Sequence, residues 1–267
     1  MSMKAGMTGF IGGGNMAEGL IKGMVQAGHR SIMVSEPVAE RRAYLASTYG
    51  VEATADSLAV AARCPLVVLA VKPQQMDAVM DALAPAITGD HTVVSIAAGI
   101  TLAYYEARLK TKRIVRVMPN MGALKQQSMS VMSFCDCFAG AEVNAVRDVF
   151  MSAGRVIALP ERLMDAVTAL SGSGPAFIAL FVDALIKAGV SLGLPEDAAR
   201  ELALQTLNGT AALLDDGLAP EKLIAMVRSP GGTTAEGLKV LEERGAYETV
   251  RLTLEAAARR SAELARQ

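Results

Sequence analysis

The sequence predicts an α/β chain in two parts: a mostly parallel sheet domain covered by helices over residues 1–160, then an all-helical domain over residues 161–267. Three observations carry that prediction. Short apolar runs alternate with helical stretches in the first part, a glycine-rich turn joins the first run to the first helix, and beyond Pro160 only long helical patterns follow. A length of 267 residues agrees with about two domains and a sizeable core.

The apolar runs are Met7 to Ile11, Ser31 to Val34, Leu66 to Val71, Thr92 to Ile96, Arg113 to Val117 and Met129 to Ser133. Their length and β-branched content predict six strands. The helical patterns after Pro160 run over Leu163 to Ala169, Ala176 to Leu192, Glu196 to Asp215, Pro220 to Val227, Thr234 to Arg244 and Tyr247 to Arg266. Apolar residues make up 52% of the chain while Trp is absent and aromatics reach 4%, so the core must be built from aliphatic side chains and the 15 Met.

Composition also excludes several classes of function. A formal net charge of −1 leaves no electrostatic footprint for nucleic acid or an anionic membrane, which points to a small-molecule substrate. The cysteines are Cys64, Cys135 and Cys137, an odd number, and Cys135-x-Cys137 is too tight for a zinc hook, so neither a disulfide framework nor a metal site is expected. The N-terminus lacks the pattern of a signal peptide, which makes the cytoplasm the expected location.

Chemistry enters at the first turn. Gly12-x-Gly14-x-x-Ala17 sits between the first apolar run and a helical pattern, the arrangement of a Rossmann-like dinucleotide-binding unit. Gly12 permits the tight turn, Gly14 leaves space for a diphosphate against bare backbone, and Ala17 lets helix and strand pack closely. The turn Ile11, Gly12, Gly13, Gly14, Asn15 and Met16 is therefore the expected anion cradle, with free N–H groups at a helix start. Ser35 and Glu36 end the second run about twenty residues past the turn, where a carboxylate accepts hydrogen bonds from ribose hydroxyls and favours NADH. Arg41 and Arg42 follow one turn later, either to compensate a 2′-phosphate or as a solvated charge cluster.

Further candidates lie at the carboxyl ends of later strands, where open α/β sheets bind ligands. These are Ala70-Val71-Lys72-Pro73-Gln74, Ser95 to Gly99, and Asn120 after Met118-Pro119, which is expected to present its amide to the nicotinamide or substrate. In the helical domain, Ser171-Gly172-Ser173-Gly174-Pro175-Ala176 reads either as a flexible entry and cap before a helix or as a loop whose bare backbone lets the cofactor or substrate approach closely. Ser229-Pro230-Gly231-Gly232-Thr233-Thr234 combines bare amides and hydroxyls at a helix start, which suits a carboxylate, although Thr233 and Glu236 also have capping-box spacing. Neither His29 nor His91 stands at any of these places, and Lys187 reads as the ion-pair partner of Asp183. The segment Phe177 to Leu194 is apolar except for Asp183, Lys187 and Ser191, is too short and charged for a comfortable membrane span, and calls for a second subunit to cover it.

Four motifs in order, Gly9-Phe10-Ile11-Gly12-Gly13-Gly14-Asn15-Met16-Ala17, Ala70 to Gln74, Ser171 to Ala176 and Ser229 to Thr234, resemble pyrroline-5-carboxylate reductase. The resemblance spans nearly the whole chain. It implies NAD(P)H-dependent reduction of 1-pyrroline-5-carboxylate to L-proline by an N-terminal Rossmann domain and a helical dimerisation domain, in dimers or rings of dimers. It further implies cofactor contacts from Ile11 to Met16, from Ala70, Val71, Lys72 and Pro73, and from Ser57, where the family often has Asn. The substrate carboxylate would be held by Ser229, Gly232 and Thr233, and Thr234 would direct its hydroxyl at the ring nitrogen in a site shared between subunits. One departure follows Asn120: the family continues with Thr-Pro, whereas this chain has Met121-Gly122-Ala123-Leu124-Lys125-Gln126-Gln127. The rival readings are a 3-hydroxyacid dehydrogenase, which needs a lysine that neither glycine-rich loop contains, and a non-catalytic cofactor-sensing dimer.

Overall fold

A computed structural model describes residues 6–135, 138 and 140–264. Eight strands form one sheet: β1 (Thr8–Ile11), β2 (Ile32–Ser35), β3 (Glu52–Thr54), β4 (Leu66–Leu69), β5 (Thr92–Ser95), β6 (Ile114–Met118), β7 (Ser128–Phe134) and β8 (Gly154–Ala158). Their order is β3-β2-β1-β4-β5-β6-β7-β8. All neighbours pair in parallel except β6 and β7, so the last two strands run against the rest.

Alternation along the strands feeds two apolar layers. Phe10, Val34, Val68, Val94, Val115 and Val117 face one side of the sheet, where they pack with α1 (Asn15–Gln26) and α6 (Ala141–Met151). Ile11, Met33, Val67, Leu69, Val93 and Ile114 face the other, against α3 (Ser57–Arg63), α4 (Met76–Leu83) and α5 (Leu102–Glu106). A parallel sheet covered on both faces needs continuous apolar strands, and LVVL over β4 is an example. The helix α2 (Ala39–Tyr49) adds Leu45 to the first layer.

Six strands were expected and eight are present among the described residues. The strand β3 has three residues, partly exposed at the sheet edge, too few for a two-residue period to register. Likewise β8 occupies the other edge and is half exposed, which removes the apolar run that marks an inner strand. Its first residue, Gly154, has φ +147°, and a Cβ there would lie 2.2 Å from the Ser128 carbonyl oxygen. The expected strand Leu66 to Val71 ends at Leu69, because Ala70 already turns toward β1.

The helical part consists of α7 (Met164–Val167), α8 (Gly174–Ser191), α9 (Glu196–Asp215), α10 (Pro220–Val227), α11 (Thr233–Glu243) and α12 (Ala246–Leu264). The expected loop at Ser171 to Ala176 is instead a π turn over Thr168–Gly172 that runs into α8. The Ser173 N–H donates to the Thr168 carbonyl at 2.8 Å, and this widened turn accommodates Pro175, whose missing N–H and ring disfavour a normal helical turn. Helical conformation therefore continues from Glu161 to Ser191, a stretch long and apolar enough by length and composition to cross a membrane, against the expectation from its second half alone.

The chain divides into two compact units. One runs through Ser173 and includes the chain from Ala256 onward, and the other is Gly174–Glu255. Within the second unit only Val182, Ala199 and Ala203 are buried apolar side chains among the described residues, while Leu180 and Phe181 on α8 are 69% and 53% exposed. Burial of α8, required by its composition, does not occur within one chain. Cys64 is a buried thiol, pushed up to about 11 by burial. Cys135 is disulfide-bonded, contrary to the expectation of no such bond, and Cys137 lies outside the described residues.

Replacing Gly154 by Ala forces an unfavourable φ and a backbone clash at the head of β8. We expect a loss of about 3 kcal/mol, measured by equilibrium urea unfolding.

Candidate functional site

The strand order reverses beside β1, with β2 and β3 on one side and β4 to β6 on the other. Reversal opens a crevice at the carboxyl ends of β1 and β4, the place where such sheets bind ligands. There Ala70 N–H donates to the Ile11 carbonyl at 2.8 Å and Gly12 N–H donates to the Ser35 carbonyl at 2.8 Å. Gly12 has φ +96°, and a Cβ on it would lie 2.8 Å from the Ala70 carbonyl oxygen, so both backbone and space demand glycine. Gly13 is pressed against Leu45 and Glu36, whereas a Cβ on Gly14 would meet nothing within 4 Å.

Gly14 caps α1 without a side-chain hydrogen bond. The N–H groups of Asn15, Met16 and Ala17 therefore have no carbonyl one turn back, and they lie at the positive end of a 12-residue helix. Bare backbone, open space and free donors together fit the diphosphate of a dinucleotide.

Glu36 stands beside this turn. Its Oε2 accepts from Gly13 N–H at 2.9 Å and its Oε1 from Val38 N–H at 3.0 Å. A carboxylate has about four acceptor positions, so capacity for ribose hydroxyls remains. Of the two arginines, Arg41 donates from Nε to the Gly13 carbonyl at 2.7 Å and from Nη2 to Glu18 Oε2 at 2.6 Å. Arg42 Nη1 donates to the carbonyls of Glu36 and Pro37 at 2.7 and 2.8 Å. The arginines are thus anchored to the backbone, Arg41 through Nε with Nη2 on Glu18, and Arg42 through Nη1 alone. Glu18 also accepts from the hydroxyls of Tyr44 and Tyr49 at 2.9 and 2.8 Å. Burial pushes its carboxyl up, but the bonds from Tyr49, Arg41 and Tyr44 outweigh burial and hold it below the usual 4.5. Sequence reasoning missed Glu18, Tyr44 and Tyr49, because partners 26 and 31 residues apart leave no local pattern.

The other expected cofactor residues are in the same unit. Ser35 is buried and pairs with Ile11, Ser57 opens α3 directly after its cap Asp56, and Ala70, Val71, Lys72 and Pro73 form the exit of β4. Asn120 follows β6, and its amide is oriented by two protein partners: Oδ1 accepts from Gly122 N–H at 3.1 Å and Nδ2 donates to Ser171 Oγ at 3.1 Å, which leaves one lone pair and one N–H. The unusual segment after it is a 3₁₀ turn over Met121–Lys125. It lies on α1, where the bare face of Gly19 admits Ala123 and Lys22 Nζ donates to the Leu124 carbonyl at 3.1 Å. At the exit of β5, the buried Tyr105 hydroxyl bonds Ser95 Oγ at 2.6 Å and so fixes the start of the Ser95 to Gly99 turn.

The substrate candidates are in the second unit. Gly232 N–H donates to the Ser229 carbonyl at 3.0 Å, and a Cβ on Gly232 would lie 2.2 Å from Ser229 Oγ, so the turn is closed tightly over that hydroxyl. The cap of α11 is Gly232 and no side chain caps it. The capping box expected from Thr233 and Glu236 is therefore absent, since Thr233 is already the first helical residue. Thr233 and Thr234 have N–H groups in the first turn, and the Thr234 hydroxyl has no protein partner among the described residues. Lys187 Nζ lies 2.7 Å from Asp183 Oδ2 in an exposed pair, as expected. His91 is bound through Thr88 and the Ala61 carbonyl at the amino end of β5, away from the crevice.

Comparison with known proteins assigns the family. A family model described as pyrroline-5-carboxylate reductase dimerisation matches residues 161–264, and one described as NADP oxidoreductase coenzyme F420-dependent matches residues 7–99. Pyrroline-5-carboxylate reductase from Pseudomonas aeruginosa is 41% identical over 268 residues, covering 97% of this chain and 96% of the relative. This chain belongs to the pyrroline-5-carboxylate reductase family. The Synechocystis pyrroline-5-carboxylate reductase is 38% identical over 97% of this chain and 98% of its own. Among solved structures, the Coxiella burnetii pyrroline-5-carboxylate reductase has a TM-score of 0.90 at 33% identity, covering 98% of this chain and 99% of that one. The Plasmodium falciparum pyrroline carboxylate reductase, solved with NADP bound, has a TM-score of 0.89 at 29% identity and covers 99% of this chain and 100% of that one.

Two glycine substitutions separate folding from binding in this family member. Gly12→Ala strains the backbone and is expected to destabilise by about 2 kcal/mol. Gly14→Ala keeps an ordinary conformation, φ −67°, and places its methyl in open space. It is expected to leave the melting temperature unchanged while weakening NADH binding at least about tenfold, read by calorimetry.

Proposed function

We propose that this chain reduces 1-pyrroline-5-carboxylate to L-proline with NADH or NADPH, as a soluble, cytoplasmic homodimer. The observation that carries the reading is full-length similarity to reductases of that name combined with an open anion cradle in each unit. Residues 1–160 serve the dinucleotide, and residues 161–267 serve dimerisation and the substrate. In the first, Ile11 to Met16 hold the diphosphate, Ser35 and Glu36 the adenosine ribose, and Ser57, Ala70 to Pro73 and Asn120 line the remaining path, Asn120 by shaping the edge through its bond to Ser171.

In the second, Ser229, Gly232 and Thr233 hold the substrate carboxylate, using the first N–H groups of α11 and the hydroxyls beside them. When bound, the reduced nicotinamide supplies a hydride. A cyclic imine, above all as its iminium, is electrophilic at the ring carbon, so the protein needs to position it and hold the nitrogen's proton and charge. The Thr234 hydroxyl, without a protein partner among the described residues, suits a hydrogen bond to that nitrogen. Positioning supplies the main catalytic effect, with reacting atoms brought to about 3–3.5 Å. Absence of a histidine or lysine from either glycine-rich turn agrees with a reaction that needs no strong base.

The dimer follows from the uncovered apolar side chains of α8. A second copy, rather than lipid, suits this face, because the Asp183–Lys187 pair lies midway along the helix and residues 161–264 match a dimerisation family.

Thr234→Ala is expected to lower turnover about ten- to hundredfold, the worth of a hydrogen bond to a charged group, with NADH affinity nearly unchanged. Unaltered turnover removes Thr234 from the reaction. Sedimentation at micromolar concentration should give twice the 27.9 kDa chain mass. A monomer contradicts the assembly.

A further inference from the structure

The three consecutive glycines of the first turn are a poor cradle on their own, because a glycine peptide flips easily and presents a carbonyl where a donor is wanted. The structure meets this with charge. Glu36 Oε2 takes the Gly13 N–H at 2.9 Å while Arg41 Nε takes the Gly13 carbonyl at 2.7 Å, so both polar groups of one residue are held by side chains 23 and 28 residues away. The peptide between Gly13 and Gly14 is trans and planar, so anchoring that carbonyl on Arg41 fixes the Gly14 N–H in the opposite direction.

Arg41 is itself held. Its Nη2 pairs with Glu18 at 2.6 Å, and the Tyr44 and Tyr49 hydroxyls occupy the other Glu18 oxygen. Glu18 lies in the first turn of α1, where its bare charge would oppose an incoming diphosphate, and Arg41 neutralises it. Arg42 is turned onto the Glu36 and Pro37 carbonyls. A 2′-phosphate beside Glu36 would therefore meet a carboxylate, with Arg41 committed through Nε and Nη2 to Gly13 and Glu18 and with Nη1 of Arg42 held on two backbone carbonyls.

We propose that Arg41 is a positioning residue that clamps the Gly13 carbonyl, and that this commitment, together with the Glu36 carboxylate, makes the chain favour NADH over NADPH. The inference rests on the reading of residues 11–16 as a dinucleotide cradle. Arg41 acts through Gly13 and not by touching the 2′ position. Its loss should harm both cofactors alike.

The experiment titrates the full-length protein with NADH and with NADPH by cofactor fluorescence, for wild type, Arg41→Met and Arg41→Lys, with a thermal melt of each. Wild type is expected to bind NADH at least about tenfold more tightly than NADPH. Arg41→Met, which keeps an unbranched side chain but removes every donor, is expected to raise both dissociation constants by the same factor of about ten, and Arg41→Lys, which keeps a cationic donor, to restore most of the loss. Loss confined to NADPH in Arg41→Met overturns the proposal in favour of a phosphate receptor, and no loss for either cofactor overturns the clamp. If Arg41→Met melts below the assay temperature, the wild-type ratio decides: preference for NADPH overturns the proposal. Wild type that binds neither cofactor overturns the dinucleotide reading beneath it.

Discussion

The close approach of Gly12 to the Ala70 carbonyl is the constraint on which the rest of the cofactor half depends. It joins the ends of β1 and β4 where the sheet changes direction, and no side chain fits between them. Because the chain turns there without a Cβ, Gly14 reaches open space and α1 begins with its donors bare. The two apolar layers of the sheet hold that turn rigid, since Phe10 and Ile11, its immediate predecessors, are buried on opposite faces. Packing of the core and exposure of the amides are thus one arrangement seen from two sides.

A second helix start repeats the principle with different chemistry. The α1 turn is lined by a carboxylate and an arginine that fix the glycine backbone, whereas the α11 turn carries hydroxyls from Ser229, Thr233 and Thr234. The first suits a large dianion bound mainly by backbone. On the proposed reading, the second takes a small acid that must also be oriented at one atom. Both turns present the same end of a helix dipole and free N–H groups, and they differ in the side chains beside them.

The two units differ in how they are stabilised. The sheet unit buries whole strands between helices, while Gly174–Glu255 buries three apolar side chains among its described residues and leaves Leu180 and Phe181 mostly exposed. A helix as apolar as α8 gains little from folding until another surface removes it from water. Stability of that unit and assembly of the protein are consequently linked, as in obligate dimers whose monomers have no complete core.

The sequence by itself determined the α/β class, the order of helices beyond Pro160, the glycine turn and the clusters at Ala70 and Ser229, because each rests on local spacing or on residue type. It also identified the family through four motifs in order. Only the tertiary structure decided that β3 and β8 complete the sheet, since edge strands lack a full apolar pattern. It alone showed that Ser171 to Ala176 continues a helix, that Gly122 and Ser171 orient the Asn120 amide, and that Arg41 grips Gly13. The bonds from Arg41 to Gly13 and from Asn120 to Ser171 join partners 28 and 51 residues apart, and distance along the chain carries no signal of which side chains folding will bring together.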